Sequence, residues 1–93
     1  MTERRHHRRI PFARAVAVNR SDGRNCLLEA EDISLAGMRL FSERPLQVGE
    51  TLELNFYVVP RGEVHSLNLQ GEVRHVGLER SGYTVGVDFM DQT

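Results

Sequence analysis

Apolar and polar residues alternate along most of this chain. Leu52, Leu54, Phe56 and Val58 are separated by Glu53, Asn55 and Tyr57, the period of two expected of a half-buried strand. Tyr83, Val85, Val87 and Phe89 repeat it around Thr84, Gly86 and Asp88. Residues 65–78 read as a longer strand with Leu67, Leu69, Gly71 and Val73 on one face, and residues 13–19, 25–33 and 37–41 as shorter ones. Ser21-Asp22-Gly23-Arg24, Pro60-Arg61-Gly62-Glu63 and Arg80-Ser81-Gly82 supply the glycines and prolines that tight connections need. No segment has helical periodicity. Residues 43–50, with Pro45 and Gly49, read as a loop with room for one helical turn. Six strands on short loops predict an all-β chain closed into a six-stranded antiparallel barrel, since closure removes the edges of a flat sheet.

Composition narrows the function without naming it. Ninety-three residues, 40% of them hydrophobic and 27% charged, make one globular domain with a single core. No run approaches the roughly 18 apolar residues of a membrane span, and residues 1–9 lack the apolar stretch of a signal peptide, so the expected location is the cytoplasm. Cys26, the single cysteine, can form neither an internal disulfide nor a thiolate zinc framework, and is expected to act as a small apolar strand residue. No nucleophile triad, metal-ligand spacing or phosphate-cradling glycine loop stands out, and His65 and His75 are too isolated to argue for a metal. Neither an enzyme nor a cofactor is expected.

The charge is unevenly placed. All 12 basic residues are arginine, and the formal net charge is -1. Arg4, Arg5, Arg8, Arg9 and Arg14 face only Glu3 within residues 1–14, a net +4 that leaves -5 on residues 15–93. Guanidinium offers a planar fork of donors that matches phosphate oxygens and the O6/N7 edge of guanine, and its flat face stacks on bases. A charge run of this kind also describes a solvated terminus. The second chemical feature is Asp32-Ile33-Ser34-Leu35-Ala36-Gly37, between two predicted strands. Asp32 could accept from the N1 and N2 hydrogens of a guanine, Ser34 could hydrogen-bond a base or phosphate, and Gly37 permits a tight turn. The same residues would also suit an Asx or Ser/Thr turn closing a hairpin.

Arg5 to Arg9 has the form RxxxR and Asp32 to Gly37 the form DxSxxG, in that order and about twenty residues apart. With the six-strand pattern and the closing Gly86-Val87-Asp88-Phe89, nearly the whole chain resembles the PilZ domain. The resemblance implies a six-stranded antiparallel barrel (residues 13–93) that binds the bacterial second messenger cyclic di-GMP, with residues 1–12 as a flexible arm closing over the ligand. It further implies Arg5 and Arg9 on guanine and phosphate, Asp32 and Ser34 on a guanine, and Gly37 shaping the turn. Arg4, preceding RxxxR, implies two intercalated ligands per chain with Arg4 stacked on a base. His75 holds a position where the family often has tryptophan, and could stack on a guanine with less area or pair across strands. Little or no C-terminal helix is expected after the last strand, so a barrel opening would be covered by a partner, a second copy or the loop at 43–50. Motility or biofilm regulation through an unidentified downstream protein would be the setting.

Two other functions compete. One is a nucleotide-independent adaptor of the same fold, although both motifs are intact here. The other is a small single-stranded nucleic-acid-binding barrel, disfavoured by the -5 body and by having only two Tyr, four Phe and no Trp. No nucleic acid and no membrane insertion are therefore expected.

Overall fold

A computed structural model describes Phe12 and residues 14–90. The strands are β1 (Ala15–Arg20), β2 (Asn25–Ile33), β3 (Gly37–Ser42), β4 (Thr51–Val58), β5 (His65–Glu79) and β6 (Gly82–Phe89). They close in the order β1-β2-β3-β6-β5-β4, every neighbour antiparallel, giving the expected six-stranded barrel. Among the described residues the one helical turn lies at Pro60–Gly62, between β4 and β5, and not in residues 43–50. No helix among the described residues is long and apolar enough to cross a membrane.

Alternation puts one side of each strand into the barrel. Val16 and Val18 of β1, Leu40 of β3, Leu52, Leu54 and Phe56 of β4, Val73 of β5 and Val85 and Val87 of β6 are all buried there. Phe56 and Phe89 stack with centroids 6.3 Å apart. The loop at 43–50 contributes Leu46, 5% exposed, which joins this core and plugs the end of the barrel where β3 hands over to β4. Cys26 does lie in β2, as expected, but it is exposed, because residues 25–28 pair with β1 and extend beyond the end of β3. Phe12, the last residue of the expected arm, bridges to Val58 and packs on the core.

The plugging loop is fastened by an ion pair. Arg20 Nε and Nη2 donate to the two carboxylate oxygens of Glu50 at 2.6 and 2.9 Å, with the Glu50 side chain 9% exposed. Arg20, helped by the Gln47 N–H and opposed by burial, holds the Glu50 carboxyl below its ordinary range. A carboxyl depressed by folding stabilises the fold fully above its unfolded pKa, near 4.3, and loses that contribution as pH falls through the lower folded value. Glu50→Gln should therefore cost about 1–3 kcal/mol at neutral pH and flatten the acid limb of a urea-midpoint-versus-pH curve. Some slope will remain. Asp22, through the Arg24 N–H, and Glu53, through Asn19 and Asn68, are lowered in the same direction.

Candidate functional site

The site begins with two breaks in alternation. Ala30 of β2 points inward opposite Leu40, so strict alternation would send Asp32 into the core and Ile33 out to solvent. A β-bulge at Glu31 resets the count. Ile33 is consequently buried at 3% exposure, and Asp32 stands on the outer face opposite Arg39. The same device recurs in β5, where a bulge at Arg74 lets Val73 face the barrel while His75 turns outward opposite Gly86. Since Arg39 also pairs with Gly86, the residues Asp32, Arg39, Gly86 and His75 form one row across β2, β3, β6 and β5. At about 4.8 Å between strands, the row spans roughly 14 Å.

Below this row the Asp32–Gly37 connection packs against β6. The Ser34 N–H donates to the Gly37 carbonyl at 2.9 Å, Ser34 Oγ accepts from the Ala36 N–H at 3.2 Å, and the Phe89 N–H donates to the Ala36 carbonyl at 2.8 Å. The Ser/Thr turn foreseen as the alternative reading is thus present, and it leaves Ser34 on the rim of a cleft. Gly37 is required by close approach, not by an unusual dihedral. A Cβ there would sit 2.1 Å from the Val87 carbonyl oxygen and 3.1 Å from Asp88 Cα.

These elements enclose a cleft of about 330 Å³ lined by Asp32, Ser34, Gly37 and His75 together with Arg39, Arg74, Gly86 and Asp88. Four sequence-predicted residues from two separate stretches thus meet in one place. Arg4, Arg5 and Arg9 lie outside the described residues. Sequence reasoning missed Arg39 and Arg74. Arg39 was within reach, since it is two residues beyond Gly37 on the outward phase of β3.

Both guanidiniums are held loosely. Arg74 Nε donates to Asp88 Oδ2 at 3.1 Å and its Nη1 lies 3.6 Å from Glu72; Arg39 Nε lies 3.5 Å from Glu31. Their side chains are 58% and 55% exposed. Ion pairs this exposed are worth about 0–1 kcal/mol, so an incoming anion can take the donors over at little cost. The wall therefore combines carboxylate acceptors, forked donors, a hydroxyl and an imidazole, which is a set suited to binding a polar ligand.

A larger cleft of about 570 Å³ opens at the opposite end of β2, lined by residues including Cys26, Leu28, Ser42, Arg44 and Leu46. Size does not make it the better candidate. It gathers none of the motif residues, and the Arg20 fork that borders it is closed by Glu50.

Comparison with known proteins bears on the family and the fold. The family model described as PilZ domain matches residues 3–93. Among solved structures, the chain is similar to the PilZ domain with c-di-GMP of YcgR from Escherichia coli, at 18% identity and a TM-score of 0.65, covering 96% of this chain and 79% of that one. No curated protein matches the sequence.

Proposed function

The chain belongs to the PilZ domain family, and from that premise we propose that it is a cytoplasmic receptor module for cyclic di-GMP. The observation that carries the reading is the convergence of Asp32, Ser34, Gly37 and His75, with Arg39 and Arg74 beside them, on one outer cleft of the barrel. Asp32 accepts from a guanine Watson–Crick edge, Ser34 hydrogen-bonds base or phosphate, and Arg5 and Arg9 bring forked donors to the phosphates and to guanine O6/N7.

Chain geometry supports the arginine assignment. Phe12 bridges to Val58, and the Arg14 carbonyl accepts from the Ala30 N–H at 2.7 Å, two residues before Asp32 on β2. Arg9 lies three residues before Phe12, so its backbone can range up to about 10 Å from that anchor, which is enough to bring its side chain to the Asp32 end of the cleft. In this reading the residues before Phe12 act as the switch: ligand phosphates draw the arginines onto the barrel, and the covered surface becomes the one that a downstream protein recognises. Arg4 stacks on a base of a second, intercalated ligand.

Isothermal titration calorimetry with cyclic di-GMP tests both affinity and stoichiometry. Two ligands per chain are expected, falling to one with Arg4→Ala. Asp32→Ala should weaken binding by about ten- to a hundredfold, the loss of one good base contact. No heat at high micromolar cyclic di-GMP would dispose of the receptor reading.

A further inference from the structure

The eight glycines of the chain are not equivalent, and one lacks a structural reason for being glycine. Gly23, Gly49 and Gly62 have positive φ. At Gly37, Gly71 and Gly82 a Cβ would come within 2.5 Å of a neighbouring atom, and at Gly77 it would press on the His75 ring at 3.1 Å. Gly86 differs from all of these. Its φ lies outside the positive region, and the nearest described atoms to a Cβ there would be His75 Cβ at 3.5 Å and His75 O at 3.9 Å, ordinary contacts. Glycine in the interior of a strand weakens it by roughly 0.5–1 kcal/mol relative to alanine. The fold alone would thus be better served by a side chain.

What Gly86 does provide is a gap in the row Asp32, Arg39, Gly86, His75. Arg39 and His75 lie on the strands to either side of it, roughly 10 Å apart from Cα to Cα. The imidazole does not fill the space, because its Nε2 lies against Gly77, along β5 and away from Gly86. Among the described residues, only His75 comes within 4 Å of a Cβ at 86, which leaves the β6 backbone between the two side chains open.

We propose that Gly86 is a specificity-determining residue of the site, whose missing side chain forms a flat peptide floor on which one base of the ligand lies, flanked by Arg39 and His75. Any side chain at 86 would stand in the plane that the base occupies. This inference rests on the receptor reading above.

Its test separates folding from binding. Wild type, Gly86→Ala and Gly86→Val are compared by thermal unfolding and by titration with cyclic di-GMP. Valine favours strands, so both variants should melt at or above the wild-type temperature. Binding should weaken severalfold for alanine and at least tenfold for valine. Wild-type affinity in Gly86→Val, with the wild type itself binding, would overturn the floor assignment and leave the receptor reading standing. Silence of the wild type would overturn both. A fall of many degrees in Gly86→Ala would show that the fold needs glycine there, and would equally remove the argument.

Discussion

Gly37→Ala is expected to destabilise the barrel by about 3 kcal/mol or more, the upper range for forcing atoms into a packed site. The reason is the identity of the obstacle. The new Cβ would lie 2.1 Å from the Val87 carbonyl oxygen, a backbone atom in the middle of β6 that cannot rotate aside as a side chain could. Relief requires β3 to move away from β6, and this strains the ladder from Gly37–Asp88 to Ser42–Tyr83 and the Phe89 N–H to Ala36 carbonyl bond. At roughly 4 °C or more per kcal/mol for a domain of this size, the melting temperature should fall by about 12 °C or more. Asp32 and Ser34 are carried by the same connection, so cyclic di-GMP binding should be lost even where the variant remains folded. A melting temperature within a few degrees of wild type would show that the contact relaxes cheaply. Comparison with Gly86→Ala sharpens the result, since the two glycines lie two strands' width apart at most and only one is held by sterics.

The barrel was legible because its core obeys a period of two, and Leu52 to Val58 and Tyr83 to Phe89 point inward as their spacing required. The motif residues were legible as chemistry, yet their convergence was not. Asp32 and His75 lie 43 positions apart, and strict alternation would have put both inside the barrel. The signal that could have corrected this is local. Glu31-Asp32 separates the inward Ala30 and Ile33, and Arg74-His75 separates the inward Val73 and Val76, so in each case two polar residues fill the interval where alternation allows one. Such a doublet marks a bulge and turns the second polar residue outward. The loop at 43–50 was among the three covers expected for a barrel opening, but nothing singled out Leu46, because a single apolar residue in a loop has no period to read. Arg39 and Arg74 went unnoticed for another reason. An arginine on a strand's solvent face is ordinary until the cleft beside it is seen.

Simultaneous Arg5→Ala and Arg9→Ala is expected to weaken binding at least about thirtyfold, and more if each arginine contributes a full bidentate contact worth about 1–3 kcal/mol. Both positions precede Phe12, where the described barrel begins, so the melting temperature of the unliganded protein should stay within a degree or two of wild type. Loss of affinity without loss of stability is the signature of a direct contact. Replacing both by lysine distinguishes charge from geometry. If net charge alone recruited the ligand, lysine would restore most of the affinity, and the residual binding would be strongly weakened by added salt. If the planar fork reads phosphate and guanine edge, lysine should recover only a minor part, because an ammonium group supplies the charge but neither the paired donors nor a face to stack. Full binding by the double alanine variant would show that the barrel face suffices by itself, and would transfer the phosphate contacts to Arg39 and Arg74, the two guanidiniums of the cleft that the structure holds only by exposed ion pairs.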